Sequence, residues 1–151
     1  MVEPPTVTGF QFREEPVASG ADLADRLGEA VWVPGEWPAD LPPPEVLLML
    51  PPPGQSHDES TYQLRSHYQL RSMTDAQLLV VSGHRRRPGN LESGLRPLEG
   101  ERFETLARPE GQRPHIVVRA PVWDVHVTGS VTTDKALSVA RSLVPVSRTG
   151  Q

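Results

Sequence analysis

The run from Pro114 to Val144 constrains the fold more than any other part of this chain, because its residues alternate, break and recover in an order that few local structures accept. His115-Ile116-Val117-Val118-Arg119 is rich in β-branched residues and predicts a strand. Ala120-Pro121 interrupts it. Val122 to Thr128 resumes as a second strand, with Val125 and Val127 on one face and Asp124, His126 and Thr128 on the other. Gly129 stops that strand. Thr132 or Thr133 then caps a helix, Asp134 suits the positive end of its dipole, and Ala136, Leu137, Ala140, Leu143 and Val144 form one apolar stripe until Pro145 ends it.

The preceding segments are read the same way. Residues 1 to 17 lack periodicity and contain Pro4, Pro5 and Pro16, which predicts an extended arm, with Val7 to Phe12 as a short edge strand. Ser19 caps a first helix, with Asp22 three residues on as in a capping box and Leu23, Ala24, Leu27 and Val31 along one side. From Val31 to Pro44 the prolines exclude a helix or a central strand, and Trp32 and Trp37 are expected to pin the segment to the domain. Glu45 to Leu50 is short and apolar, as in a strand buried on both faces.

An internal repeat follows: Tyr62-Gln63-Leu64-Arg65-Ser66 recurs as Tyr68-Gln69-Leu70-Arg71-Ser72. The offset of six residues is even, so a strand keeps Tyr62, Leu64, Tyr68 and Leu70 on one face, whereas a helix turns by about 240° over that offset and scatters them. Met73 to Gln77 is a turn, and Leu78 to Ser82 returns as a strand to make a hairpin. Gly83 to Asn90 reads as a basic loop opening a polar stretch to Gly100, and Glu101 to Leu106 as a further strand around Phe103. The order of elements predicts an α+β fold: a mainly antiparallel, meandering sheet with an N-terminal and a C-terminal helix packed on one face. Residues 18 to 146 are expected to form the single domain, with 1 to 17 an arm and 147 to 151 a flexible tail.

Composition narrows the classes. A chain of 151 residues can bury a real core, and the absence of cysteine removes disulfides and thiolate chemistry. The amino terminus is acidic and proline-rich where a secretory signal is basic and then apolar, and no apolar run reaches bilayer-spanning length, so a cytoplasmic location without membrane attachment is expected. Lys135, Ile116 and Asn90 are the only residues of their types, a bias toward GC-rich codons that discounts each Arg or Pro as a functional sign. Residues 1 to 60 hold eleven acids against Arg13 and Arg26, a balance of −9, while residues 61 to 151 hold eight acids against thirteen bases, a balance of +5. Such halves can attract each other within the fold or between copies of a homo-oligomer, though averaging over an ordinary mixed surface is the favoured reading, and they argue against general adhesion to nucleic acid or anionic lipid.

Three pieces carry a resemblance: the proline-flanked Trp32 to Leu41 segment, the Trp123-centred strand, and Val125-His126-Val127-Thr128-Gly129 running into Thr133 to Leu143. Together they resemble a bacterial domain of unknown function that forms the extracytoplasmic part of membrane-bound anti-sigma-factor-like proteins and is similar in fold to lipoprotein-carrier-like sheets. The resemblance spans roughly residues 20 to 144 in order of elements. It implies a curved sheet with helices on the concave side and carries no catalytic residues. The chain departs from the pattern in lacking a membrane helix and an attached sigma-binding segment.

Candidate sites are few. His57-Asp58-Glu59 offers three metal-ligand types, but consecutive loop side chains diverge, so no metal is expected there. Asp124 and His126 share a strand face and can act as orienter and base, yet no nucleophile motif accompanies them, and a cross-strand pair is the favoured reading. Arg85, Arg86 and Arg87 in the glycine-bounded loop can hold a phosphate or carboxylate bidentately, against the plain alternative of a solvated turn. Trp32, Trp37, Tyr62 and Tyr68 either pack the core or line an apolar groove. The leading expectation is a non-enzymatic binding module that works through a protein partner, with no cofactor. A carrier or sensor of a small hydrophobic ligand is the alternative, and a hydrolase using Asp124 and His126 is the third.

Overall fold

The structure, a computed structural model, describes residues 13–50, 66–86, 94–109 and 113–149. Among them are ten strands and two helices in an α+β arrangement. The first strand, β1 (Arg13–Pro16), falls in the expected arm. Helix α1 (Gly20–Leu27) begins where expected: Ser19 accepts a hydrogen bond from the Asp22 backbone N–H at 3.2 Å. It ends at Gly28, whose φ of 80° suits a left-handed cap and whose N–H donates to the Ala24 carbonyl at 2.8 Å. The helix is therefore short, and Val31 belongs to the next element rather than to its apolar stripe.

That element is β2 (Val31–Pro34), which pairs with the last strand, β10 (Leu143–Val146), in a two-stranded antiparallel sheet. A proline-rich strand is tolerated there because it has a neighbour on one side only. The other strands are β3 (Glu45–Leu50), β4 (His67–Met73), β5 (Leu78–Arg85), β6 (Arg96–Leu98), β7 (Thr105–Ala107), β8 (His115–Arg119) and β9 (Trp123–Gly129). With β1 they form one antiparallel sheet in the order β1-β3-β4-β5-β9-β8-β7-β6. Two meanders, β3 to β5 and β6 to β9, meet where β5 pairs with β9.

Register divides the side chains by parity. Leu48, Tyr68, Gly83, Val125 and Val118 stand in one cross-strand row, and Leu70, Val81, Val127, Ile116 and Ala107 in another. Except for Gly83 these residues belong to one core cluster, which also takes Leu23 and Ala24 from α1 and Ala136, Val139 and Ala140 from helix α2 (Thr133–Arg141). Tyr68 is fully buried and its ring lies over Gly83, where an added Cβ would come within 2.1 Å of it. Its hydroxyl donates to the Trp32 carbonyl at 2.5 Å and accepts from the Trp32 N–H at 3.2 Å, while Trp123 Nε1 donates to the Ala30 carbonyl at 2.8 Å. Tyr68 and Trp123 meet edge to face at 5.1 Å, so two core aromatics anchor the small sheet to the large one.

Three boundaries differ from the sequence reading. Thr132 caps α2 as expected, but the helix stops at Arg141, because Leu143 and Val144 pair with Pro34 and Val33 in β10 and Leu143 enters the core there. The strand expected over Glu101 to Leu106 is confined to Thr105–Ala107, the part that finds partners in both β6 and β8. The basic loop expected from Gly83 begins later, since β5 continues through Arg85 alongside Trp123. No helix among the described residues is long and apolar enough to cross a membrane.

Candidate functional site

The face of the large sheet opposite the core carries His67 on β4, His84 on β5, His126 on β9 and His115 on β8. These are four of the chain's five histidines, on four neighbouring strands. The alternation that puts Tyr68, Gly83, Val125 and Val127 inward puts their neighbours His67, His84 and His126 outward. His115 faces the same way because it is paired with Thr128. The result is a diagonal row of touching rings. His67 and His84 stack at 4.1 Å between centres, His84 meets His126 edge-on at 5.6 Å, and His126 lies 5.3 Å from His115. His115 Nε2 and His126 Nδ1 are 3.0 Å apart in a hydrogen bond, one nitrogen donating and the other accepting, so at least one of the two rings is neutral.

The row is sheltered rather than fully solvated. His67 and Asp124 are buried at 5% and 3% exposure, and Leu47, Met49 and Val117 on this same face are also buried, outside the main core cluster. Arginines flank it. Arg119 Nε donates to Asp124 Oδ1 at 3.2 Å, Arg86 approaches the same oxygen at 3.9 Å, and Arg108 Nη2 lies 3.4 Å from His115 Nδ1. Arg119 also faces Glu104 at 3.8 Å. Asp124 is engaged by Arg119 and Arg86, and His126 by His115.

The arginine run is divided by the strand. Arg85 turns to the core side, where its guanidinium lies 4.7 Å from the Trp123 ring centre, donates to the Leu27 carbonyl at 3.0 Å and pairs with Glu29. Burial pushes its pKa below the ordinary arginine value. Arg86 is exposed and turns toward Asp124, and Arg87 lies outside the described residues. Of the aromatic set, Tyr68 is a core residue, Tyr62 lies outside the described residues, and Trp32 is half-buried against Phe103 at 5.1 Å. Trp37 borders a cleft of about 600 Å³ between the 36–40 segment and α2, and its buried Nε1 has no hydrogen-bond partner among the described residues. His57, Asp58 and Glu59 also lie outside them.

Sequence reasoning found His126 and missed the row around it. The signal was parity: once β4, β5, β8 and β9 are accepted as strands, each histidine can be assigned a face. Their convergence additionally needs the strand order. Among the described residues, no three side chains of metal-ligand type converge on one point as they stand. No protein-family model, curated protein or solved structure matches the chain.

Proposed function

We propose that this chain is a non-enzymatic binding module, acting in the cytoplasm through an acidic protein partner, whose recognition surface is the histidine face of its large sheet. One observation carries the reading. Beside β5, β7, β8 and β9 that face gathers Arg86, Arg108 and Arg119 against Asp124 and Glu104, while Glu14 and Glu45 at its β1 and β3 end are paired with Arg71. Guanidinium forks match carboxylates bidentately, and Arg86 is exposed at the rim of the row.

In this reading the sheet is curved, as in the extracytoplasmic domains that the sequence resembles, and both helices lie on the face away from the histidines. Support comes from the core cluster, which joins α1 and α2 to one set of inward-facing strand residues and includes none of the four histidines. That division leaves the other face for recognition.

Native mass spectrometry of the protein gently purified from its own cells tests the proposal. The expected result is a complex with a second protein that is lost in an Arg86→Glu/Arg108→Glu variant of unchanged circular dichroism. A bare chain mass, or a complex that survives the double substitution, would overturn it. A reproducible added mass of small-molecule size would instead support a carrier.

A further inference from the structure

β4 is built on five residues that the chain spells twice. Tyr62-Gln63-Leu64-Arg65-Ser66 and Tyr68-Gln69-Leu70-Arg71-Ser72 are identical, and only the second copy lies wholly within the described residues. That string supplies the contacts that seat β4. Tyr68 fills the space over Gly83, and its hydroxyl bonds both the carbonyl and the N–H of Trp32. Leu70 lies in the core, Arg71 pairs with Glu14 and Glu45, and Ser72 Oγ donates to the Pro42 carbonyl at 2.7 Å. None of these seats distinguishes one copy from the other.

A shift by six residues keeps parity, so each side chain of the first copy would meet the face that its twin meets. Tyr62 then stands opposite Gly83 and Leu48, Gln63 opposite Ser82, and Leu64 opposite Val81, as Tyr68, Gln69 and Leu70 do in the structure. Only the two ends of β4 change: Thr61 replaces His67, and His67 replaces Met73, which is 70% exposed. The β3–β4 connection shortens from sixteen residues to ten, and the β4–β5 connection lengthens from four to ten. These two changes in loop-closure entropy nearly cancel, leaving about a twofold factor against the shift. The observed register is favoured by its turn, where Thr74 N–H donates to the Gln77 carbonyl at 2.8 Å and Thr74 Oγ1 accepts from the Gln77 N–H at 3.0 Å, and by the stack of His67 on His84. Both are local, and neither belongs to the core cluster.

We propose that β4 has two registers six residues apart, the observed one and a minor one in which the first copy takes its seats. The exchange withdraws His67 from the histidine row and sets Thr61 beside His84, a conformational device that remodels that face without disturbing the core beneath it. It requires no protein partner, so it stands or fails independently of the reading above.

Cysteine is absent from the chain, so an engineered pair reports the register directly. Ser82 pairs with Gln69 in the observed register and would pair with Gln63 in the other. Positions 63 and 69 lie about 20 Å apart along an extended strand, beyond the reach of one disulfide. Disulfide closure in Gln69→Cys/Ser82→Cys and in Gln63→Cys/Ser82→Cys is followed in oxidised glutathione by thiol alkylation and peptide mass spectrometry, with Leu64→Cys/Ser82→Cys as the control of wrong parity. Fast closure of the first pair, slower closure of the second and slowest closure of the control are expected. Tyr68→Ala empties the seat over Gly83 in the observed register alone and is expected to speed the 63–82 closure by about tenfold or more relative to the control, because truncating a buried aromatic outweighs that factor. Tyr62→Ala is expected to slow it. Tyr68→Phe, which removes only the bonds to Trp32, shifts closure the same way by less should Tyr68→Ala fail to fold. Closure at 63–82 no faster than at 64–82, or unchanged by the substitutions at Tyr68, would overturn the assignment of two registers.

Discussion

Val122 holds a φ of 68°, a region that favours glycine and that a β-branched residue occupies at a cost of about 1–2 kcal/mol. It sits at the corner between β8 and β9, largely exposed, and its carbonyl accepts the Arg86 N–H at 2.8 Å. This corner pairs Arg119 with Asp124 and so helps set which face receives His126. Val122→Gly relieves the strain, loses little packing and adds freedom to the unfolded chain, so a net gain of up to about 1 kcal/mol is expected. The midpoint of urea unfolding checks it, and a lower midpoint would show that the valine's contacts outweigh its backbone cost. The break at Ala120-Pro121 and the outward placing of Asp124, His126 and Thr128 were both legible from local alternation. The strain was not, because proline followed by valine does not announce a positive φ. The contact between His126 and His115 was not legible either, since the rings come from strands whose pairing register local alternation leaves open.

At the scale of elements, β1 is held to the large sheet by its pairing with β3 and by a bidentate contact of Arg71 with Glu14 from across β3. That hydrogen-bonded contact keeps the Glu14 carboxyl below its ordinary value of 4.5. A carboxylate whose pKa is lower in the folded state stabilises it above the ordinary carboxylate range, and the contribution is lost as pH falls through the depressed folded value. Because the pair is partly exposed, solvent screening keeps the effect small and local. Amide exchange of β1, corrected for intrinsic rates, is therefore expected to accelerate relative to β4 between pH 6 and pH 3. Glu14→Gln should remove that difference. Equal protection of both strands at both pH values would refute the coupling. The elements easiest to read were those that carry their own start signals, α1 with Ser19 and α2 with Thr132. The hardest were β6, β7 and β10. Leu143 and Val144 fit a helical stripe as well as a strand, and only β2, more than a hundred residues earlier in the chain, decides between them.

At the scale of the whole molecule, the unequal charge of the two halves is turned inward on itself. The strand order seats β1 and β3 of the acidic first part beside β4, and β2 beside β10, of the basic remainder, and ion pairs cross between them: Glu14 and Glu45 with Arg71, Glu29 with Arg85, and Asp40 with Lys135 at 2.6 Å. These pairs set part of the charge of each half against the other within one chain. Each such pair at a surface contributes about 0–1 kcal/mol, and all share one dependence on salt. At about 1 M NaCl the Debye length falls to about 3 Å, which screens exposed pairs but leaves apolar burial intact. The melting temperature is thus expected to fall by a few degrees between about 0.02 M and 1 M NaCl, since about 1 kcal/mol shifts a domain of this size by about 2–4 °C. A melting temperature that rises steadily over that range would mean that repulsion within the acidic first part outweighs its attraction to the rest. In that case the crossing pairs would be consequences of the fold that contribute little to its stability.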